Sequence, residues 1–487
     1  MATRNLNASG KKRPSGKKRG VEARGALWLA RHPGFLATPA AVTTSVIELG
    51  PVTTGGIAAG ILASGLVWCR TDPDSYHRYA APRLRAVRRR WTRYHGYAWR
   101  RNLDACDLTV QDRRTGGWHV PRVVKVSSPS PSIDVIQVKI CRGQSVRTFQ
   151  DQQEALASAL GADVLAIEKT KPRLITITAV YGNPFDTIVP AVEIPDEPDE
   201  VDLSAIELGD TERGQAWTEP ILGHHWLVHG ATGSGKGGLL WNPLRAMGPM
   251  IREGLVRIWM VDPKGGMETE QGRPLFYRYA TSADPDKALE EDGEVIDEVD
   301  AMLALIIEFR DAMKHRQEVL RAKGLRKVEV SRETPLEVLM IDELAMLTAL
   351  GGRQVTMQVN KLLGEILTQG RAAGFSVAAY VQEPTKDIVP VRDLFTIRIC
   401  LRTTSASYVE MVLGENARLR GALADEIPVT EDYAGIGYRV AEKTRTPIRV
   451  RAGLVTDDDI TELVRTCTPT HEDPQDGPDG VVVPFAA

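Results

Sequence analysis

The stretch that decides the fold reads HWLVHGATGSGKG, at residues 225–237. His225–Val228 is short and apolar, as expected of a buried strand, and Gly230–Lys236 has the spacing of a phosphate-binding loop. The glycines let backbone N–H groups turn toward a β-phosphate, Lys236 reaches the β- and γ-phosphates, and the next helix adds its dipole. A chance glycine-rich turn is the alternative. The order of strand, loop and apolar helix favours an ATP site formed by Gly230, Ala231, Thr232, Gly233, Ser234, Gly235, Lys236 and Gly237.

One position departs from the usual loop. Gly237 follows Lys236, at the place where a Ser or Thr hydroxyl normally binds Mg²⁺. The sequence leaves open whether Thr232, Ser234 or a water molecule takes over this role, or whether metal affinity is lower. The loop therefore predicts phosphate binding and leaves the hydroxyl ligand of the metal undecided.

Two adjacent carboxylates follow another strand. Leu336–Ile341 is a continuous apolar-rich run that ends in Asp342 and Glu343. Because neighbouring side chains of a strand point to opposite faces, the two carboxylates suit different tasks. We expect Asp342 to hold Mg²⁺ through water and Glu343 to polarise the attacking water as general base.

Two further apolar runs follow the same logic. Val256–Val261 ends in Asp262-Pro-Lys264-Gly-Gly, and Phe375–Val381 ends in Gln382, which is placed to sense a γ-phosphate. Asp286–Lys323 has the spacing of one or two amphipathic helices. This alternation of strands and helices predicts an α/β fold, with a mostly parallel sheet and helices on both faces.

The charge of the chain is strongly asymmetric. Residues 1–101 carry 19 Lys/Arg against four Asp/Glu, about +15, so the remainder of this chain of net charge -2 is about -17. A basic head on an acidic body indicates contact with phosphate, either of lipid or of nucleic acid. The five cysteines contain no C-x-x-C, which supports neither a zinc site nor a disulfide framework and fits a reducing compartment.

Two stretches near the N-terminus lack charged side chains, His32–Ile47 and Leu49–Cys69. A spanning helix needs about 20 predominantly apolar residues, which the second stretch has and the first approaches. Because both flanks are basic, the positive-inside rule favours two spans with both ends in the cytoplasm. The alternative is a Gly/Ala-rich hairpin buried in a soluble protein.

An Arg-rich segment, residues 83–101, follows these stretches. It interleaves arginines with four aromatic residues, a mixture that suits a juxtamembrane helix on anionic lipid with its aromatics at the interface. Contact with DNA phosphate is the competing interpretation. The four aromatic residues are Trp91, Tyr94, Tyr97 and Trp99.

Residues 104–190 have the pattern of a small α+β module. Arg122–Val126, Ile133–Val138 and Leu174–Val180 alternate as strands, and the stretch from Ser145 to Leu160 has helical spacing with Ser145 as a candidate N-cap. The module carries no catalytic constellation, which favours an adaptor role. Residues 191–216, rich in Pro and acidic residues at their start, are predicted to be a linker.

Four motifs occur in a fixed order: GATGSGK, VDPKGG, MIDEL and GRAAGF followed by VQEP. Together they resemble the motor of the FtsK/SpoIIIE DNA-translocase family, from about Trp217 to Val464. Two basic-flanked hydrophobic segments, a small α+β module and this motor are together most similar to the Tra proteins, which drive double-stranded DNA transfer by conjugative elements of actinobacterial type.

The resemblance implies a RecA-like P-loop ATPase that uses ATP and Mg²⁺ and works on double-stranded DNA. It also implies a homo-hexameric ring in which a neighbour's arginine completes each active site. Arg371, within GRAAG, is the first candidate for that arginine, and Arg398 and Arg402 come next. A local ion pair is the alternative role for each of the three.

The expected function is DNA translocation at the cell membrane, with the motor in the cytoplasm, for conjugative transfer. Alternatives are an FtsK-like ATPase of protein secretion, a chromosome-partitioning or cell-division translocase, and a non-enzymatic assembly factor. The expected organisation is a basic tail (1–31), a membrane hairpin with an Arg-rich helix (32–103), the adaptor (104–190), a linker (191–216), the motor (217–466) and an acidic tail (467–487).

Overall fold

The computed structural model describes residues 43–44, 46–48, 50–112, 116–185, 187–282, 298–350, 352–386, 388–440 and 447–469. The predicted tail 1–31 lies outside these residues, as does nearly all of the predicted tail 467–487. The chain divides into two compact units after Ala81. Within the second unit we call residues 82–185 the small domain and residues 187–469 the large domain.

The described part of the first unit contains one long helix, α1 (Pro51–Thr71). It starts with proline, whose missing N–H costs no hydrogen bond at that position. By length and composition α1 can cross a membrane, and none of its residues is buried. The other predicted span, His32–Ile47, lies largely outside the described residues. Two short helical turns follow α1, at Pro73–Ser75 and Tyr76–Ala80.

The small domain is built on an antiparallel sheet in the order β3-β4-β6-β5, and β1 pairs with β2 as a separate ribbon. The predicted helix from Ser145 is two helices, and the Ser145 side chain caps the first of them. The elements are α2 (Ala81–Thr92), α3 (Gly96–Ala105), β1 (Val110–Gln111), β2 (Trp118–His119), β3 (Arg122–Ser130), β4 (Ile133–Lys139), α4 (Val146–Gln150), α5 (Gln153–Leu160), β5 (Val164–Lys171) and β6 (Leu174–Val180).

The Arg-rich segment belongs to this small domain, which corrects the expectation that all its aromatics face lipid. Tyr94 and Trp99 are buried in the core of the small domain. The Tyr94 hydroxyl donates to Asp134 at 2.6 Å, and the Arg89 guanidinium contacts the same buried carboxylate at 2.5 Å. Trp91 and Tyr97 remain exposed. The segment is therefore tied to the small sheet by apolar packing and by one shared carboxylate.

The large domain contains a ten-stranded sheet in the order β11-β10-β12-β13-β9-β14-β15-β16-β7-β8. Pairs from β11 to β14 are parallel and the remaining pairs are antiparallel. The strands are β7 (Ile206–Thr211), β8 (Ala216–Glu219), β9 (Trp226–His229), β10 (Val256–Asp262), β11 (Arg278–Thr281), β12 (Leu336–Ile341), β13 (Phe375–Val381), β14 (Ile397–Leu401), β15 (Ile436–Val440) and β16 (Pro447–Ala452).

Helices cover both faces of the parallel strands, and this confirms the predicted fold class. One buried cluster includes Trp226 and Leu240, and the other includes Phe309 and Phe375. The helices are α6 (Lys236–Ala246), α7 (Gly248–Arg252), α8 (Glu298–Ala322), α9 (Leu344–Leu350), α10 (Gly352–Gln369), α11 (Ala406–Leu413) and α12 (Asp457–Cys467).

The segment predicted to be a linker, 191–216, is instead part of the large domain. It contains β7, which pairs with β16, and Val192 and Leu203 are buried in the large domain's core. The Arg245 guanidinium donates to the Val192 carbonyl at 2.7 Å. The acidic composition misled the prediction because it lies mostly in the few residues before β7 and hides the apolar residues between them.

Candidate active site

The site lies at the carboxyl edge of the parallel strands. β9 and β13 run side by side with Val381 next to His229, and β12 pairs with β13 on its other side. All residues of these three strands are buried, as their apolar sequences dictate. Because parallel strands end at one edge, the loop after β9 and the side chains after β12 and β13 meet there.

The loop Gly230–Lys236 has the geometry of a closed phosphate cradle. Lys236 Nζ donates to the Gly230 carbonyl at 2.7 Å and lies 3.5 Å from the Ala231 carbonyl. Gly235 has φ +89°, and a Cβ there would lie 2.3 Å from the backbone nitrogen of Gly435. Only glycine fits at position 235, so the backbone itself shapes the loop.

Burial lowers the pKa of Lys236 to about 8, although the charges of Glu343 and Asp342 oppose this shift. The ammonium group has lost much of its water, and among the described residues its hydrogen bonds go to carbonyl oxygens within the loop. A phosphate group would supply the negative charge that this cation lacks. Lys236 is therefore poised to exchange the Gly230 carbonyl for phosphate oxygens.

Glu343 is 2% exposed and is held by one of its two oxygens. Oε1 accepts the backbone N–H of Gln382 at 3.1 Å and that of Ala345 at 3.4 Å. Oε2 has no hydrogen-bond partner among the described residues. Burial raises the pKa of Glu343, while the Gln382 amide and the Lys236 charge oppose the rise. The arrangement leaves one fixed acceptor oxygen for a water molecule.

Asp342 pairs with a lysine that the sequence did not single out. Lys264 Nζ lies 2.8 Å from Asp342 Oδ2, and Asp342 is 2% exposed. Burial raises the pKa of Asp342, and Lys264 opposes that rise. The turn carrying Lys264 is fixed by Asp262, which accepts the Lys264 N–H at 2.8 Å and the Thr269 hydroxyl at 2.6 Å. The signal was present in VDPKGG, but only the pairing of β10 with β12 brings Lys264 to Asp342.

Gln382 lies next to one of the two hydroxyl groups of the phosphate loop. Thr232 Oγ1 donates to Gln382 Oε1 at 3.3 Å, so Gln382 bridges the loop and Glu343. Ser234 Oγ is buried and would lie 2.3 Å from a Cβ on Gly230, which places it underneath the loop. A Cβ on Gly237 would meet no atom within 4 Å. Position 237 therefore has room for a hydroxyl-bearing side chain but carries none.

The donor set fits Mg²⁺ held chiefly by phosphates and water. The described residues contain no cluster of three or more His, Cys, Asp or Glu side chains that could hold a metal. Mg²⁺ commonly binds through one or two carboxylates together with substrate phosphates. Asp342, buried at the strand end beside the loop, is the carboxylate that meets this description.

The three candidate arginines occupy different places. Arg371 precedes β13, at the opposite edge of the sheet from its own loop, and its Nε donates to the Gly223 carbonyl at 2.6 Å. Arg398 lies on β14, 3.6 Å from Asp393. Arg402 instead contacts its own loop, because its Nη2 donates to the Thr232 carbonyl at 2.7 Å. This contact with the loop of its own chain favours Arg371 and Arg398 over Arg402 as the trans finger, which remains a prediction.

Comparison with known families agrees with this geometry. Residues 191–424 match the sequence model of the FtsK/SpoIIIE family. Residues 191–424 of the large domain are an FtsK/SpoIIIE family domain. This family consists of P-loop ATPases, so the FtsK/SpoIIIE domain is an ATPase domain.

Relatives of the FtsK/SpoIIIE domain are distant. "DNA translocase FtsK" of Staphylococcus aureus is 22% identical over 342 residues, covering 69% of this chain and 41% of the relative. The protein of the same name from Streptococcus pyogenes is 24% identical over 375 residues, covering 75% and 44%. The alignments thus span less than half the length of these curated relatives.

Two solved structures are similar to the chain at low TM-scores. The pCW3 conjugation coupling protein TcpA with ATPγS has a TM-score of 0.47 and 20% identity, covering 71% of this chain and 93% of that one. The type VII secretion ATPase EccC of Thermomonospora curvata has a TM-score of 0.44 and 21% identity, covering 63% and 35%.

Proposed function

We propose that this protein is an ATP-driven translocase of double-stranded DNA. The observation that carries the proposal is the free oxygen of Glu343, buried at the edge where Lys236 and Gln382 also lie. A carboxylate held in this way supports the activation of water for attack on a γ-phosphate. The family of the large domain, and relatives that are named DNA translocases, support DNA as the cargo.

The side chains divide the work of hydrolysis. Lys236 leaves the Gly230 carbonyl and binds the β- and γ-phosphates, and Glu343 takes the proton of the attacking water. Asp342 would hold Mg²⁺ through water, and the metal would supply neutralisation of phosphate charge. Gln382 is bonded to both Glu343 and Thr232, so it links the state of the phosphates to the general base.

ATP hydrolysis measured with and without duplex DNA tests the proposal. We expect duplex DNA of any sequence to stimulate hydrolysis several-fold, and Lys236→Ala to abolish it in both conditions, because a charge contact to the transferring phosphate is lost. Hydrolysis that ignores DNA would favour a protein cargo and contradict the proposal. A wild-type protein that binds ATP without hydrolysing it would favour the assembly-factor alternative.

A homo-hexameric ring with Arg371 acting on the neighbouring site is part of the proposal. Arg371 lies at the edge of the sheet away from the phosphate loop of its own chain, and this position supports a role in trans. Subunits with Arg371→Ala mixed with Lys236→Ala subunits should regain partial activity, because some interfaces then hold both intact parts. Mixed rings that are verified by mass and remain inactive would exclude Arg371 as the finger.

Attachment to the cytoplasmic membrane rests on α1, which is long, apolar and without buried residues. The full chain should stay with membranes at about 1 M salt, where the Debye length falls to roughly 3 Å. A chain that starts at Pro82 lacks α1, so it should be released from the membrane. It keeps α3 and Tyr94, which the core of the small domain needs. Extraction of the full chain by salt alone would contradict the spanning role of α1.

The process we assign is conjugative transfer of a plasmid or integrative element. The order of a basic-flanked apolar segment, a small α+β module and one motor supports it, as in the Tra proteins that the sequence resembles. Deleting the gene should abolish transfer to recipient cells and leave division and chromosome partitioning normal. A division defect with normal transfer would assign the protein to chromosome segregation instead.

A further inference from the structure

A cleft of about 890 Å³ lies between the small domain and the large domain. One wall is formed by α4 and the β5–β6 hairpin, and the other by residues 416–420. The cleft is separate from the ATP site, since none of its lining residues belongs to the loop or to the carboxylate strands. Nothing in the proposed hydrolysis mechanism uses it.

The small-domain wall of the cleft is strongly cationic. Four exposed cations line it, and none of them has an ion-pair partner among the residues that the structure describes. Cations of the large domain, by contrast, are commonly paired: Arg310 lies 3.3 Å from Glu365, and Arg418 lies 3.1 Å from Asp425. The four lining cations are Arg147, Lys169, Lys171 and Arg173.

Residues 102–185 carry ten Lys/Arg against eight Asp/Glu, so the cluster lies in a region of nearly balanced charge. Four of these ten cations line one cleft, and Glu168 is the one carboxylate among the lining residues. Unneutralised cations that face one open cleft raise the local concentration of a polyanion. The charge pattern therefore indicates a phosphate-bearing ligand.

The backbone at the tip of the hairpin points the same way. Arg173 has φ +62°, a left-handed conformation, directly after Pro172. A turn of this kind normally places Gly or Asn at that position, because a larger side chain strains the backbone. Strained backbone of this kind clusters at ligand-binding sites, so the conformation of Arg173 supports a binding role for the hairpin tip.

The two walls are held together by a close backbone approach. Gly421 has φ +101°, and a Cβ there would lie 2.7 Å from the Ala166 Cβ of β5. β5 is the edge strand of the small sheet, and its neighbour across this contact is the turn Arg418–Arg420. The two walls of the cleft are therefore in direct contact at this point.

We propose that this cleft binds the phosphate backbone of duplex DNA, as a contact in addition to those made by the motor ring. The assignment rests on the proposed function, which supplies duplex DNA as the polyanion. Contacts to phosphate position DNA without reading its sequence, as a translocase requires. Each cation that neutralises one phosphate adds about 0.9 to the salt dependence of binding.

The test measures binding of a fluorescent 30-bp duplex to the full chain in detergent over a range of salt concentrations. The variant combines Arg147→Gln, Lys169→Gln, Lys171→Gln and Arg173→Gln. We expect the slope of log K against log salt to become less negative by roughly 3 to 4, and affinity near 0.1 M salt to fall at least about tenfold, on two unrelated sequences. Hydrolysis without DNA should be unchanged.

A matched control removes four exposed cations outside the cleft: Arg122→Gln, Lys125→Gln, Lys139→Gln and Lys361→Gln. Its slope should stay within about one of the wild-type slope. An equal loss in this control would show that net charge, and not the cleft, governs binding, and would overturn the proposal. Loss of binding to anionic-lipid vesicles with an unchanged duplex slope would assign the cleft to membrane and overturn it too.

A single variant separates the local effect from misfolding. Arg173→Gly removes the strained side chain, so it should raise the unfolding midpoint and still reduce the salt slope by about one. A raised midpoint with an unchanged slope would exclude Arg173 from the contact. If the wild-type protein neither binds duplex DNA nor changes its hydrolysis rate with it, the translocase function itself is contradicted. If the wild-type protein binds duplex DNA and the cleft variants bind it equally well, only the cleft assignment is contradicted.

Discussion

The ten-stranded sheet has two halves that differ in what they contribute. In the parallel half, β9, β12 and β13 are buried along their whole length, and every group proposed for hydrolysis follows one of the parallel strands. In the antiparallel half, β8 and β16 have exposed or half-buried residues and carry no group of the hydrolytic site. Chemistry is thus confined to one half of the sheet.

The antiparallel half instead shapes the loop. The N–H of Gly435, just before β15, donates to the Ser234 carbonyl at 2.9 Å, and Gly435 leaves no space for a side chain at Gly235. β14, at the junction of the halves, leads into Arg402, which contacts the loop at Ala231 and Thr232. One half of the sheet therefore carries the groups proposed for hydrolysis, and the other half fixes the shape of the phosphate loop.

The largest expected effect tests the chemical half. Glu343→Gln keeps the size of the side chain but removes the proton acceptor, so hydrolysis should fall by about 10³-fold while ATP still binds. Single-turnover hydrolysis and binding of a fluorescent ATP analogue measure the two effects. Glu410→Gln, an exposed change on α11, is the control and should behave as wild type. Wild-type turnover in Glu343→Gln would remove Glu343 from the mechanism.

The parallel half should also lose stability in acid. Burial lowers the pKa of His225 and of His229 to about 4, so both stay neutral in the folded protein. Unfolded histidines bind protons below about pH 6.5, so the free energy of unfolding should fall between pH 6.5 and 4, by about 2 kcal/mol per histidine at pH 5. Urea unfolding at pH 7.5 and pH 5 measures this change.

A pair of variants assigns the acid effect to the buried rings. His229→Gln cannot titrate and should lose roughly half of the pH dependence, because His225 remains. Gln354, an exposed residue of α10 without a titrating group, provides the control Gln354→Ala, which should leave the pH dependence unchanged. If both variants behave alike, the buried histidines are not its source.

The antiparallel half should respond to pH with the opposite sign. Burial raises the pKa of Glu212 to about 7, against opposing charges of Arg213 and Arg449. The folded state therefore binds the proton more tightly, and stability falls as pH rises from about 4.5 to 7. Glu212→Gln should remove this loss and add up to about 3 kcal/mol to the free energy of unfolding at pH 7.5, with no gain at pH 4.5. An equal gain at both pH values would indicate a packing effect.

The smallest effect concerns the missing hydroxyl. A side chain at position 237 meets no neighbour, so Gly237→Ser should be tolerated and should lower the Mg²⁺ concentration for half-maximal hydrolysis by about fivefold, the equivalent of one added polar contact of about 1 kcal/mol. Gly238→Ser is the matched control for available space. A Cβ at position 238 would lie 2.6 Å from the Gly453 carbonyl, so this variant should destabilise the fold. An unchanged Mg²⁺ requirement would mean that water already fills this role.

The same division explains which parts of the fold could be predicted. The bounds of strands β12 and β13 were predicted to the residue, because parallel strands buried on both faces have nearly continuous apolar sequences. Strands β7, β14 and β16 were missed, because short strands with charged residues such as Arg449 and Arg451 have no distinct pattern. β7 was further hidden by acidic sequence next to it.

The site was predictable where its signals are local and not where they depend on pairing. The loop, Asp342, Glu343 and Gln382 each follow an apolar run, and the structure brings them to one edge. Lys264 reaches Asp342 only through the neighbouring strand, and Arg402 reaches the loop only because β14 lies beside β9. Contacts between distant segments leave no spacing signature in a single sequence.

The position of strand β7 in the sheet affects how the large domain bears mechanical load. It is the first strand of the large domain, yet it lies inside the sheet, with β16 on one side and β8 on the other. Tension on the chain from its N-terminal side first loads Val192, which is bonded to Asn242 and Arg245 of α6, and beyond it β7 is held by two hydrogen-bond ladders at once. A pull at this entry point therefore acts on the helix that follows the phosphate loop before it acts on the antiparallel half of the sheet.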